Sequence, residues 1–191
     1  MPIEEDEHGT YIMNSKDLRA LEHVERLVNM GITSLKIEGR TKSHYYVART
    51  TQVYRRAIDD ALAGRPFDAS QLGTLENLSN RGYTDGFLQR HPDQDYQNYL
   101  EASSSSNRQR FVGELTGYDP ASGLAEVAVK NKFAPGDDME LILPAGNRSF
   151  RLTGLFDMQG QRMDEAPGGG YRVQIPLQGG NFDMGLLARK L

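Results

Sequence analysis

Hydrophobic and polar residues alternate along the second half of the chain, from residue 108 to residue 191. Six stretches follow this period of two, with turn sequences such as Asp-Pro, Pro-Gly-Asp and Pro-Gly-Gly-Gly between them. Such alternation is typical of strands that bury one face. The stretches are RFVGELTGY, LAEVAVKN, DMELILP, RSFRLTGLFD, YRVQIPL and MGLLARKL. They predict a small six-stranded β-barrel domain over 108–191, in which closure protects the strand edges.

The first part of the chain has a helical period instead. After a strand-like run at 10–14, Ser15 is placed to cap a helix that continues to Gly31. A second unit follows, with a strand over 32–38 and a helix over 42–63. Strand-helix repeats are typical of parallel α/β folds, but two units are too few for a closed (β/α)₈ barrel. Residues 1–66 are therefore interpreted as the C-terminal end of such a barrel, so that the fold class is α+β.

Residues 67–107 are interpreted as a helical connector and linker. Apolar residues around 72–78 predict one short helix, and turn-rich, tyrosine-rich sequence follows. The polar run ASSSSN at 102–107 has no side chain suited to a core. A domain boundary is expected there.

A lysine and a glutamate alternate with aliphatic residues in SLKIEGRTK, residues 34–42. In a strand, Leu35 and Ile37 share one face, while Lys36 and Glu38 share the other. In a (β/α)₈ barrel the charged pair would project into the barrel near the C-terminal end of the strand, where such enzymes hold their substrates. The alternative is a partly buried ion pair without catalytic function.

Further polar residues are predicted to surround this strand end. Gly39 permits a turn, so that Arg40 and Lys42 can reach over the barrel mouth. Lys36, Glu38 and Arg40 are the candidate catalytic residues. Arg40 has an alternative interpretation as a solvated turn residue. A net-positive rim of this kind suits a carboxylate or a phosphate. The candidate substrate-binding residues are Asn14, Ser15, Lys16, Lys42 and Tyr45.

Composition excludes several classes of protein and of site. A hydrophobic content of 38% and a net charge of -4 indicate a soluble globular protein, and the acidic start lacks a secretory signal, so a cytoplasmic location is expected. No apolar run is long enough to span a membrane. The absence of cysteine excludes thiolate ligands within the chain, and its four histidines lack metal-ligand spacing, so no metal site is predicted.

The predicted barrel domain has ten basic and ten acidic residues. This balance argues against tight, sequence-independent binding of RNA, since each neutralised phosphate normally requires a cation. Lys130, Lys132 and Arg148 remain candidates for a modest nucleic-acid contact.

Four segments together resemble the C-terminal portion of the bacterial collagenase-like peptidase family. They are GTYIMNSKDL, SLKIEGRTKSHYYVARTTQVYRRAIDDALAG, NRGYTDGFL and VKNKFAPGDDMEL. The resemblance implies a (β/α)₈ barrel with a cysteine-bound iron-sulfur cluster, followed by a small barrel similar to the second domain of translation elongation factors. Some members are described as proteases. Those most similar to this chain are implied to act in prephenate-dependent formation of 5-hydroxyuridine at the wobble position of tRNA.

The cysteine-bearing part of that family pattern is not present in this sequence. The chain is therefore expected to be a C-terminal fragment of an enzyme that is inactive by itself, because catalytic groups must be held in register by the whole barrel. tRNA and prephenate are the implied partners of the full-length protein, and the iron-sulfur cluster is implied to lie in its N-terminal part. The alternatives are a fragment of a collagenase-like peptidase and a non-catalytic interaction module.

Overall fold

The computed structural model describes residues 3–6, 9–12, 16–40, 42–78, 80, 82–89 and 109–191. The chain divides into two units, Met1–Ser106 and Asn107–Leu191. In these described segments no helix combines the length and the apolar character that crossing a bilayer requires. The fold is mixed, with helices and short strands in the first unit and an antiparallel sheet in the second.

The described part of the N-terminal unit contains three α-helices and two small strand pairs. The hairpin of β1 and β2 is antiparallel, whereas β3 and β4 pair in parallel. Single 3₁₀ turns lie at Leu21–His23 and Gly86–Leu88. The elements are β1 (Ile3–Asp6), β2 (Gly9–Ile12), β3 (Asp17–Leu18), α1 (Val24–Asn29), α2 (His44–Leu62), α3 (Ser70–Glu76) and β4 (Tyr83–Thr84).

The long helix α2 confirms the helix predicted over 42–63. It begins at a Ser43 cap, whose hydroxyl accepts a hydrogen bond from the backbone N–H of Tyr46 at 3.2 Å. It ends before Gly64, whose φ of 68° is a conformation that glycine adopts without strain. A buried stripe at helical spacing packs α2 against α1 and α3; it comprises Tyr45, Arg49, Val53, Ala57 and Ala61.

The prediction of a continuous helix after Ser15 is wrong at its start. Asp17–Leu18 is a strand, and Ser15 lies outside the described residues. The backbone N–H of Asp17 donates to the Gly82 carbonyl at 2.9 Å, and that of Arg19 to the Thr84 carbonyl at 2.8 Å. Because these hydrogen bonds pair the backbone of residues 17–19 with β4, the helical turns begin only at Leu21.

The strand predicted over 32–38 is also wrong for the structure as described. Residues 32–39 have no regular secondary structure, although aliphatic and charged residues alternate in this sequence. A strand requires a neighbour that accepts and donates its backbone hydrogen bonds. Among the described residues no other strand pairs with this segment. Its aliphatic side chains are consequently not packed under helices, and Ile37 is exposed.

Each of the six stretches predicted for the second unit contains a strand, although the strand in RSFRLTGLFD ends at Arg151. These strands form one antiparallel sheet in the order β8-β7-β10-β5-β6-β9. The strands are β5 (Gln109–Asp119), β6 (Leu124–Val129), β7 (Asp138–Leu143), β8 (Gly146–Arg151), β9 (Arg172–Pro176) and β10 (Leu186–Lys190).

The segment that follows β8 links the two ends of this sheet. The N–H of Leu152 still donates to Asp137 beside β7 at 3.0 Å, whereas Phe156 exchanges hydrogen bonds with Gln174 of β9 at 2.9 and 2.8 Å. Leu152 and Leu155 turn inward and are buried. Burial of apolar surface is the main stabilising contribution here. The core around them includes Val112, Val127, Phe133, Met139, Leu141, Val173, Ile175 and Leu187.

The close approach of β5 and β6 requires a glycine at position 113. A Cβ atom there would lie 2.5 Å from Cγ1 of Val127 and 3.0 Å from the Ala128 carbonyl oxygen. At Gly117 in the same strand, the nearest atom would be 3.6 Å away on the Glu126 side chain, which is an ordinary contact.

We therefore expect Gly113→Ala to destabilise the second unit by about 1–3 kcal/mol through overpacking. Gly117→Ala is the matched control and should change stability by less than about 0.5 kcal/mol. Urea unfolding of the chain, followed through NMR signals of residues 109–191, measures both. Equal stabilities of the two variants would contradict the close approach.

Candidate functional site

A cavity of about 490 Å³ lies within the N-terminal unit. Its walls come from β3, β4, helix α2 and the strip, as we name residues 35–40. Polar side chains and tyrosine rings converge on it from segments that are distant in sequence. The lining residues used below are Asp17, Arg19, Lys36, Glu38, Arg40, Lys42, Tyr46, Tyr54 and Tyr83.

The parallel pairing of β3 with β4 forms one side of the cavity. Asp17 is the direct partner of Tyr83 in this pairing. Because side chains alternate along a strand, Asp17 and Arg19 extend to the same side. The cavity therefore has an acid, an arginine and a tyrosine on adjacent backbone positions.

Lys42 forms the first cationic point of the cavity. Its Nζ atom lies 3.0 Å from Oδ2 of Asp17 and 4.9 Å from the ring centroid of Tyr46. The Lys42 and Asp17 side chains are only 21% and 10% exposed. A charge pair so shielded from water interacts more strongly than a surface pair, and the tyrosine ring face adds a cation-π contact.

Arg19 forms the second cationic point. Its guanidinium carbon lies 4.6 Å from the ring centroid of Tyr83. Two carboxylates form longer ion pairs with it, with Glu22 at 3.6 Å and Glu76 at 3.7 Å from its terminal nitrogens. The Tyr83 ring and the two ion pairs together restrict the position of the Arg19 guanidinium.

The cavity tyrosines are neutral at physiological pH. Burial raises the pKa of Tyr46, Tyr54 and Tyr83 above the ordinary value of 10.0, and the Asp17 carboxylate raises the pKa of Tyr46 and Tyr83 further. The Tyr54 hydroxyl accepts from the Ala20 N–H at 2.9 Å, and the Tyr83 hydroxyl donates to the Leu75 carbonyl at 2.7 Å. These residues therefore supply ring faces and fixed dipoles rather than charge.

The charged pair of the strip faces water, contrary to the prediction. Lys36 and Glu38 are 83% and 71% exposed, and their charged atoms lie 2.9 Å apart. The expectation that they project into an enclosed barrel is wrong here, because no described strand covers that face. The alternative predicted a partly buried ion pair, whereas the observed ion pair is exposed. Residues of the strip, including exposed Arg40, nevertheless line the cavity.

The predicted substrate-binding residues separate in the structure. Lys42 lines the cavity, as described above. Tyr45 is 6% exposed and packs inside the unit, so that its neighbour Tyr46 lines the cavity instead. Lys16 lies beside Gly82 and outside the cavity lining. Asn14 and Ser15 fall outside the described residues.

Sequence reasoning missed Asp17, Arg19 and Tyr83. Asp17 and Arg19 lie where a helix was predicted, and Tyr83 lies in a turn-rich segment far along the chain. Their convergence depends on the pairing of two strands of two residues each. Such short strands leave no detectable alternation in the sequence.

The candidate nucleic-acid residues of the second unit do not form a single patch. Lys130 and Lys132 pair with Glu114 and Glu165 at 3.0 and 2.5 Å, just after β6. Arg148 stacks on the ring of Phe182 and donates a hydrogen bond to the Gln178 carbonyl in the loop after β9. That loop begins at Leu177, whose N–H donates to the carbonyl of Gly123, the residue before β6. The lysines and the arginine therefore lie near opposite ends of β6.

Metal-ligating side chains do not cluster in the described part of the chain, where no three His, Asp or Glu residues could hold an ion together. Buried His23 instead contacts Asp85, with Nε2 and Oδ2 3.2 Å apart. This contact ties the first 3₁₀ turn to the segment after β4.

The two units define a recognisable class: an α/β unit with a cationic, tyrosine-lined cavity, followed in the chain by a six-stranded antiparallel domain. Residues 2–98 match the family described as Peptidase family U32, and residues 107–189 match the Peptidase family U32 C-terminal domain. The chain belongs to peptidase family U32.

Two similar relatives are both called tRNA hydroxylation protein P. The protein from Escherichia coli K12 is 63% identical over 173 residues, which are 91% of this chain and 38% of the relative. The protein from Haemophilus influenzae is 55% identical over 188 residues, which are 98% of this chain and 41% of the relative. The chain thus spans about two fifths of the length of these relatives.

More distant similarities include a protein named Collagenase from Porphyromonas gingivalis. It is 25% identical over 181 residues, covering 92% of this chain and 49% of that protein. A solved C-terminal domain of a Geobacillus thermoleovorans putative U32 peptidase is 30% identical, with a TM-score of 0.39, and covers 42% of this chain and 91% of that one.

Lys42 and Lys36 differ in burial, so substituting each of them should change stability by different amounts. Lys42→Met should destabilise the N-terminal unit by about 1–3 kcal/mol, because the mostly buried Asp17 carboxylate loses its cation. Lys36→Met, the matched control, should cost less than about 1 kcal/mol, as exposed ion pairs usually do. Urea unfolding followed through NMR signals of α2 measures both. A larger effect at Lys36 would contradict the burial described here.

Proposed function

We propose that this chain supplies part of the substrate site of a tRNA-modifying enzyme that forms 5-hydroxyuridine at the wobble position in a prephenate-dependent reaction. The cavity carries the proposal, because four cationic side chains line it against two carboxylates, beside three tyrosine rings. Its supporting context is the 63% identity to a protein called tRNA hydroxylation protein P. Cations beside ring faces suit a small, ring-containing anion.

The proposed roles follow from charge and placement. Lys36, Arg40 and Lys42 would attract the prephenate carboxylates or a tRNA phosphate, and Glu38 would orient Lys36 through their 2.9 Å contact. Lys36, Glu38 and Arg40 remain the proposed catalytic residues. Asn14, Ser15, Lys16 and Tyr45 complete the proposed substrate-binding set, with Tyr45 acting only through the position it gives to α2.

Because the strip is exposed in this chain, the proposed site requires further strands that cover it. A lysine in open water binds a small anion weakly, because solvent screens the charge. In the proposed enzyme, residues 32–38 would pair as a strand with further strands of a (β/α)₈ barrel. Those strands would lie in the part of the relatives that this chain does not match. Without them the chain would not catalyse the reaction, since the catalytic groups would lack fixed positions.

The second unit is proposed as an accessory barrel similar to the second domain of elongation factors. It would contact RNA or protein in the cytoplasm, with Lys130, Lys132 and Arg148 as proposed RNA contacts. An iron-sulfur cluster, if the enzyme holds one, would need ligands from outside this chain, which has no cysteine.

A peptidase is the second candidate, favoured by the family description and by the relatives called Collagenase. It would need an activated nucleophile or a metal-bound water, and the described residues form no metal cluster. Full-length protein incubated with denatured collagen discriminates the two candidates. We expect no more cleavage than with an Arg40→Ala preparation purified in parallel, whereas cleavage that the substitution abolishes would favour the peptidase.

Arg40→Ala in the full-length protein should lower the 5-hydroxyuridine content of tRNA at least tenfold in a strain that lacks the native gene. The reason is that about 1.4 kcal/mol of lost anion binding or orientation corresponds to a factor of ten in rate. Mass spectrometry of tRNA nucleosides gives the readout.

Arg55→Ala is the matched control, because Arg55 lies on α2 outside the cavity lining and pairs with Asp59 on the surface. This variant should restore the modification fully. Full restoration by Arg40→Ala as well would remove Arg40 from the site. Loss in both variants would indicate a folding defect in place of a binding defect, which protein abundance measured in the same cells would report.

A further inference from the structure

The guanidinium of Arg19 has hydrogen-bond donors that the described protein does not fill. Arginine has five such donors. The nearest carboxylate oxygens, on Glu22 and Glu76, are 3.6 and 3.7 Å away, which is beyond ordinary hydrogen-bond length. The Nε atom is buried and has no hydrogen-bond partner in the described part of the chain. A buried donor left without a partner destabilises the protein.

This under-satisfied group is also held in place. The backbone N–H of Arg19 donates to the Thr84 carbonyl at 2.8 Å, which fixes its Cα position. Its guanidinium stacks on Tyr83, and the Tyr83 hydroxyl is itself anchored on the Leu75 carbonyl at 2.7 Å. The planar donor fork is thus oriented before any ligand arrives, which reduces the entropy that binding would otherwise lose.

Lys42 on the same cavity differs in this respect. It already has a carboxylate at hydrogen-bonding distance, because Asp17 lies 3.0 Å away. An incoming anion would have to compete with Asp17 for Lys42. At Arg19 the competing glutamates are about half exposed and further away, so they can turn toward water when an anion approaches.

We infer that Arg19, stacked on Tyr83, is an anion-binding residue of the cavity that takes a carboxylate or a phosphate group. The fork of the guanidinium fits the two oxygens of either group, which a lysine cannot match. The inference rests on the proposed function in one respect, since it concerns the same cavity. It goes further by moving the main anion contact from the exposed strip to Arg19, directly after β3.

NMR on the chain itself tests this assignment. The ¹H–¹⁵N signal of the Arg19 Nε group is followed while sodium phosphate or sodium malonate is added, with sodium chloride keeping the ionic strength constant. We expect a saturable shift with at least one of the two anions. The Arg55 Nε signal should not saturate, because Arg55 lies outside the cavity lining and its pair with Asp59 is solvated.

Arg19→Lys keeps the charge and removes the fork. Cavity amide signals should then show roughly tenfold weaker anion binding, while Arg55→Lys should leave the affinity unchanged. Equal affinity of Arg19→Lys and the unsubstituted chain overturns the assignment. The assignment is also overturned if the Arg19 signal saturates with neither anion. This result does not depend on the folding of any variant.

The comparison of phosphate with malonate tells which source of anion the site prefers. Because binding is measured without catalysis, its outcome is separate from the test of the proposed function. Saturable binding at Arg19 together with unchanged 5-hydroxyuridine in Arg40→Ala cells would retain the anion site and reject the proposed catalytic set. The reverse result would retain the enzyme and reject Arg19 as its anion contact.

Discussion

The short parallel pairing of Asp17–Leu18 with Tyr83–Thr84 determines how the N-terminal unit presents its charges. Two backbone hydrogen bonds, at 2.9 and 2.8 Å, hold the start of this unit against a segment that follows its last helix. The pairing places Asp17 beside Tyr83 and places Arg19 over the tyrosine ring. Without it, the cavity would lose one wall, and Lys42 would lose the carboxylate that anchors it.

The strip shows the opposite situation, in which a strand-like sequence lacks a neighbour. Its alternation of aliphatic and charged residues has the period of a strand, yet no described strand pairs with it. Strand formation depends on backbone partners as much as on side-chain pattern. The same local signal therefore gives a sheet in the second unit, where six strands supply one another with partners, and an irregular segment in the first.

How much the sequence predicts depends on how local each determinant is. The six strands after residue 108 and helix α2 were predictable, because alternation, turn residues and the Ser43 cap act over a few positions. The start of the first helix was not, since a partner more than sixty residues away overrides the local helical period. Lys42 could be identified because it lies directly ahead of a helix that local signals predict. Arg19 was missed because its position depends on the distant pairing of β3 with β4.

The cations of the N-terminal unit differ in burial and in how fully they are compensated, although they look alike in the sequence. Lys36 is solvated beside Glu38, and Lys42 is largely buried with its carboxylate at 3.0 Å. Arg19 combines a buried donor with carboxylates too distant to accept a hydrogen bond. A solvated charge gains little from a ligand, and a compensated one must first give up a partner. A held, incompletely satisfied cation gains most, so burial and compensation, more than charge, identify where an anion would bind.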